Sequence, residues 1–241
     1  MTDETGQETL RRQAPRTSAR KRRRRRWLLV SVPALVVIVV LSVGAFIELQ
    51  PTPAPLALPT EAASPPVGPL AGTWHVSAGS VAGFRVPESF LGLGNDTVGR
   101  TNAVAGAVVV SDDQVTSATF RIDLTAIKMG GKTQPQFAKS LDTMAHPNAT
   151  ITLTQPVTLS SAFTSGATVT ATTTGQLSMH GATHMVSITL SSRRDGAALQ
   201  VAGSIPIAFA SWRIKAPAGY GFFGSLANNG VAEFLLVLLR Q

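Results

Sequence analysis

Alternation with a period of two constrains this chain more than any other feature. From Thr168 to Met179 the odd positions read Val169, Ala171, Thr173, Gly175, Leu177 and Met179, and the even positions read Thr168, Thr170, Thr172, Thr174, Gln176 and Ser178. One face is apolar or small and the other is polar, which fits a half-buried strand and does not fit a helix. His180-Gly181-Ala182-Thr183 then turns the chain, and Val186, Ile188 and Leu190 alternate with Ser187 and Thr189, so the pair reads as a hairpin.

The same period recurs in Ala118, Phe120, Ile122 and Leu124, in Ile151 and Leu153, and in Leu199, Val201, Gly203, Ile205, Ile207 and Phe209. Pro206 hints at an edge or bulge in the last of these. The final run, Val231 to Leu239, is apolar at both parities, so its outer side needs a cover. About eight or nine strands are expected, with one short helix over about Gln134 to Leu141. Consecutive antiparallel strands with polar outer faces imply an all-β fold, a barrel or a sandwich. Small residues fall among the positions read as inward, namely Gly83, Gly106, Ala118, Ala171, Gly175 and Gly203. In a solid core neighbours fill such places, and in an eight-stranded barrel they leave room for an apolar ligand; the pattern alone allows both.

Everything before residue 71 has a different character. Ten of the 21 basic residues lie within residues 1–26, ending in the run Lys21 to Arg26, so the net charge of +8 belongs almost wholly to this tail. A basic footprint confined to a tail does not describe a folded nucleic-acid-binding face. Trp27 to Ile47 then carries no charge and is rich in Val, Leu and Ile. As a helix it would span roughly 30 Å, the thickness of a bilayer core. Positive charge beside such a helix stays in the cytoplasm. The expected arrangement is a cytoplasmic tail over 1–26, a single membrane span over 27–47 and an extracytoplasmic remainder. Export with cleavage near Val43-Gly44-Ala45 is the alternative. Residues 48–70 hold seven prolines, a composition that cannot form a packed core and predicts an extended spacer.

Signs of chemistry are few. The chain has no cysteine, which removes thiol nucleophiles and thiolate metal sites. His180 and His184 flank a turn that has no carboxylate beside them and read as a solvated turn, and His146, which precedes Pro147, reads as shaping a loop. There is no G-x-S-x-G elbow and no phosphate-cradling glycine loop. No catalytic residue, metal ligand or cofactor is assigned.

Several stretches of residues 71–241 carry a family likeness. They are Gly72-Thr73-Trp74-His75-Val76 with Ser80 to Val86, Val98-Gly99-Arg100-Thr101 with Val104-Ala105-Gly106, and Phe120 to Leu124. To these are added Phe137 to Leu141 with His146-Pro147, and above all Gly175-Gln176-Leu177-Ser178-Met179-His180-Gly181-Ala182-Thr183. In this order they resemble the YceI-like family of extracytoplasmic lipid-binding proteins, whose domain is a lipocalin-like antiparallel barrel. The resemblance implies an elongated apolar cavity that holds an isoprenoid chain, or a similar long apolar lipid, without chemistry. Charged residues that family members often carry before the first paired strand and before the helix are replaced here by Ser77 and by Gln134 to Gln136.

The candidate ligand contacts are the inward positions of the expected strands and the helix. They are Phe84, Val86, Phe120, Ile122, Leu124, Phe137, Leu141, Met144, Ile151, Leu153, Leu177, Met179, Val186 and Ile188. Plain core packing is the other reading of each. The expected partners are an apolar lipid and, through residues 27–47, a membrane. Nucleic acid is not expected, and the two-sided final strand allows a homodimer. A structural or interaction domain with a filled core is the alternative function.

Overall fold

The computed structural model describes residues 52–90, 93–217 and 224–240, with side chains omitted at 90 and 93. The tail and apolar run expected over 1–26 and 27–47 lie outside these residues. Among the described residues, no helix is long and apolar enough to cross a membrane.

Among the described residues, twelve strands form one antiparallel sheet. They are β1 (Gly72–Val76), β2 (Val81–Phe90), β3 (Leu93–Thr101), β4 (Val104–Ser111), β5 (Gln114–Asp123), β6 (Asn148–Leu153), β7 (Val157–Thr158), β8 (Val169–Met179), β9 (Ala182–Asp195), β10 (Ala198–Ala208), β11 (Gly224–Leu226) and β12 (Asn229–Arg240). The order β1-β4-β5-β6-β8-β9-β10-β12 returns to β1 through Trp74 opposite Arg240 and Val76 opposite Leu238, so eight strands close a barrel.

The excess over eight has a simple cause. β1 pairs with the last residues of β12, and β2 continues along the same edge from Val81 opposite Leu235 to Arg85 opposite Val231. β1 and β2 are therefore one stave broken at residues 77–80. β4 pairs with β1 and β3 with β2, so they form a second stave broken at residues 102–103. β12 is paired along both edges, which leaves it no free edge for strand addition to another molecule.

The turns follow from local chemistry. His180-Gly181 joins β8 to β9 with φ of 50° and 70°, the positive values that a tight two-residue hairpin needs. The expected helix is α1 (Pro135–Ser140), capped by Gln134 and Leu141. Two short elements carry no periodic signal. They are α2 (Ser161–Thr164), whose N-cap Ser160 accepts a hydrogen bond from the Phe163 N–H, and a 3₁₀ turn, Phe209–Trp212.

One end of the barrel is filled. Trp74, Val108, Val110, Phe163, Leu199, Leu236 and Leu238 pack there, with Trp74 at 1% exposure and Leu238 at 0%. Phe163 comes from α2, and Arg194 turns its guanidinium onto the carbonyls of Thr164, Val67 and Gly68. The other end carries α1, the 3₁₀ turn and the β2–β3–β11 extension. There the β4–β5 ladder stops at Val104 opposite Ile122. Beyond it the wall is completed by Lys128, whose N–H and carbonyl both pair with Arg100 of β3.

Residues 52–70 are not a free spacer. They lack helix and strand, as their prolines require, but they lie against the barrel. Leu56 N–H donates to Glu233 at 3.0 Å, the Arg193 guanidinium donates to the Glu61 carbonyl at 2.9 Å, and Ser64 N–H donates to Asp195 at 2.8 Å. Val67 and Ser64 exchange backbone bonds with Gly196. Docking is possible because a proline-rich chain keeps its carbonyls unpaired, and arginines on the outer face supply donors.

Candidate functional site

A cavity of about 220 Å³ occupies the unfilled half of the barrel. Among the described residues its lining is apolar except for Ser140, Thr173 and Glu233. Strand alternation places Glu233 between the inward Ala232 and Phe234, so its side chain turns to the outer face. There its carboxylate lies 2.6 Å from Arg100 Nη2 and 3.4 Å from Arg85 Nε, and Arg85 also pairs with Asp96 at 2.9 Å. Arg85 further donates to the Pro53 carbonyl. The charged groups at this level are thus paired with one another and with residues 53–56, outside the lumen.

The lumen is hollow by a local criterion. Phe120, Ile122, Leu124, Leu153, Val201, Ala232 and Phe234 face inward, yet each is only partly buried. Inward apolar residues in a filled barrel would be covered by one another.

Of the fourteen candidates, Phe84, Val86, Phe120, Ile122, Leu124, Phe137, Leu141, Ile151, Leu153, Leu177, Met179 and Ile188 line this cavity. Two do not. Met144 is 99% exposed, because it follows the end of α1 in a loop that turns it outward rather than continuing the helix face. Val186 packs against the cluster around Leu177 and Ile188 without lining the lumen, where Ile188 and Ile151 take the space over its partner Gly175.

The small residues act differently from the simple expectation. Gly83 faces outward, where a Cβ would meet the Gly99 carbonyl oxygen at 1.9 Å. At Gly203 a Cβ would lie 2.4 Å from Phe234 Cζ, at Gly106 2.9 Å from Phe120 Cδ1, and at Gly99 2.6 Å from Phe84 Cε1. The space at Gly203 and Gly99 is taken chiefly by phenylalanine rings from the neighbouring strand, whereas at Gly106 the backbone of Thr119 and Phe120 comes nearer than the ring edge. A ring can rest against such a position because its cross-strand partner has no side chain. Room in the lumen arises because the rings are withdrawn from it. Ala118 lines the cavity directly.

α1 covers the cavity from the side. Phe137 stacks on Phe84 of β2, and Leu141 and Ser140 reach the lumen. Phe209 and Ile214 approach from the 3₁₀ turn, which two histidines fasten. The His180 Nδ1–H donates to the Trp212 carbonyl at 2.8 Å and the His184 Nε2–H to the Ser211 carbonyl at 3.0 Å. Both histidines therefore bond the turn to the β8–β9 hairpin, with His180 half-buried and His184 still exposed to solvent. Among the described residues no three His, Asp or Glu side chains are grouped as a metal site.

Sequence reasoning missed several lining residues. Val201, Ile205 and Ile207 carried the right alternation in β10. Phe234 lies in a strand apolar on both faces, where parity gives no direction. Ile127 and Ile214 lie in segments without any period.

Comparison with known proteins agrees with this architecture. The YceI-like domain model matches residues 74–232. A polyisoprenoid binding domain from Saccharophagus degradans, implicated in plant cell wall breakdown, is 16% identical with a TM-score of 0.55, covering 71% of this chain and 99% of that one. BcnA from Burkholderia cenocepacia is 17% identical with a TM-score of 0.49, covering 67% of this chain and 98% of that one. No curated protein matches the chain. A closed eight-strand antiparallel barrel, hollow at one end and matched by the family model over most of its length, places the chain in the YceI-like domain family.

Proposed function

We propose that this protein holds a long apolar chain, an isoprenoid or a similar lipid, in the barrel cavity without altering it chemically. The observation that carries this reading is the set of inward apolar side chains left uncovered around a lumen that is filled only at one end. Each methylene transferred from water into such a lumen contributes about 0.8 kcal/mol, so a long chain binds with few polar contacts. The polyisoprenoid-binding relative from Saccharophagus degradans supports the same ligand class. The uncharged run Trp27 to Ile47 behind an arginine-rich tail supports anchoring in a membrane, with the barrel on the extracytoplasmic side.

The test is organic extraction and mass spectrometry of the purified full chain, followed by titration with a polyprenol. A co-purifying apolar lipid or saturable uptake is expected. Absence of both would leave the barrel a structural or interaction domain. Protease treatment of intact spheroplasts tests the orientation, with the barrel cleaved and the basic tail protected as the expected pattern.

A further inference from the structure

We propose that Phe120 and Phe234, each opposite a glycine on the neighbouring strand, form a length-selecting constriction that sets how deep a bound chain reaches. This rests on the lipid-binding reading and deepens it. Both rings touch the filled cluster around Trp74 and Leu238 and also the cluster around Leu177 and Ile188. They therefore stand at the boundary between the solid and the hollow halves. Both line the cavity, and so do Ala118, Val201 and Leu236, which belong to or pack on the filled cluster. The lumen thus continues past the rings to a floor at Leu236.

That passage exists because Gly203 and Gly106 let the rings lie back. Gly203 is opposite Phe234 in the β10–β12 ladder, and Gly106 is opposite Phe120 in the β4–β5 ladder. A methyl group at Gly203 would lie 2.4, 2.9 and 3.0 Å from Phe234 Cζ, Cε2 and Cε1. The contacts are all with the far edge of one ring, so the ring must give way, and the open side is the lumen. Gly203 has no positive φ, so a substitution there carries no backbone strain of its own. Gly106 has φ of 145° and would meet the backbone at Thr119, which makes Gly203 the cleaner probe. The native geometry selects a chain long enough to pass the rings and end at the floor. With Phe234 pushed inward, the lower compartment is cut off, and the favoured chain is shorter.

The experiment uses the full chain in nanodiscs and a homologous series of prenols, increased by one isoprene unit at a time, in competition with a fluorescent apolar probe. In Gly203→Ala the length of highest affinity is expected to fall by at least one unit, with about tenfold or greater loss for the chain that the native protein prefers. Phe234→Leu removes the ring edge, and because the native chain already ends at the floor its length of highest affinity should stay that of the native protein. The double variant Gly203→Ala/Phe234→Leu has no ring edge for the new methyl to displace, so the optimum shortened by Gly203→Ala should return toward the native length. An unchanged optimum in Gly203→Ala, a shortened optimum that persists in the double variant, or equal weakening at every length, would overturn the proposal while leaving lipid binding intact. Failure of the native chain to bind any prenol would overturn the lipid-binding reading, and the constriction with it.

Discussion

Phe137 of the short helix stacks on Phe84 of β2, with ring centroids 5.9 Å apart and planes inclined by 25°. This pair holds the side cover of the cavity. α1 has only six residues, no side-chain N-cap bond and no fully buried residue, so little else fixes it. A helix this short does not persist on its own propensity. Phe137→Ala is expected to cost about 1–3 kcal/mol, less than a fully buried ring. Hydrogen exchange should localise the loss, with protection falling at residues 135–141 and staying unchanged in β8 and β9. Release of a bound prenol should be faster. Uniform loss of protection across the barrel would contradict a local role.

A second prediction concerns the ionic cluster on the outer face. Glu233 is 5% exposed and accepts from Leu56 N–H while facing both Arg85 and Arg100. In Glu233→Ala the Arg100 guanidinium loses its carboxylate and Arg85 keeps only Asp96, so the expected cost lies below the about 3–5 kcal/mol typical of breaking a fully buried pair. Glu233→Gln retains the shape and an acceptor, so a smaller part of that cost is expected. In Glu233→Ala the Leu56 N–H loses its acceptor, and residues 53–54 keep only their carbonyl bonds to Arg85 and Arg100. Limited proteolysis near Ala54 to Leu58 should accelerate, whereas cleavage at the β9–β10 turn should not. Native-like resistance at residues 54–58 would show that the segment is held by other contacts.

How much of this could be read from sequence depends on the range of each interaction. Thr168 to Met179 could be placed correctly because its polar face meets water and its apolar face meets the lumen, so parity alone orients every side chain. The helix over Pro135–Ser140 was legible from its proline start and its apolar spacing. Ten of the ligand candidates that line the cavity follow the same parity rule, and Phe137 and Leu141 reach it from the helix. Met144 failed because parity and helical period both end with the element that carries them. The pairing of Gly203 with Phe234 was not legible, since a glycine reads as empty space until the register shows which ring fills it. The docking of residues 52–70 was invisible for a related reason. Its proline content correctly excludes a core of its own, but its carbonyls are bonded by arginines distant in sequence, from Arg85 to Pro53 to Arg193 to Glu61.

A third prediction follows from Asp123, the last residue of β5. Its carboxylate accepts from the Thr125 hydroxyl at 2.6 Å and from the Thr125 N–H at 2.8 Å. The hydroxyl bond is the main cause that holds its carboxyl below the ordinary value of 3.8, with a smaller opposing effect of burial. A carboxyl depressed in the folded state stabilises that state above its unfolded pKa, and the contribution disappears as pH falls through the folded value. The affected window therefore lies below pH 4, and stability near neutrality should not vary with pH on account of this group. Carbon-detected NMR titration should place Asp123 below 3.8 in the native protein. Thr125→Val should bring it back toward that value. No change in Thr125→Val would assign the depression to another donor.

The last prediction separates a hollow barrel from a filled one by stability alone. Ala118 lies on β5 with its methyl toward the lumen and forms part of the lower wall of the cavity. In a close-packed core, adding three carbon atoms at such a position forces neighbours off their rotamers and costs about 1–3 kcal/mol. In a cavity of about 220 Å³ the same atoms enter empty space and gain contacts with Val201 and Leu236. Ala118→Leu is therefore expected to be neutral or slightly stabilising in urea unfolding of the ligand-free protein. The added volume competes with a bound chain, so the rise in melting temperature on adding saturating prenol should shrink relative to the native protein. A destabilised variant with unchanged ligand-induced stabilisation would mean that Ala118 packs into a closed core and that the bound chain stays above it.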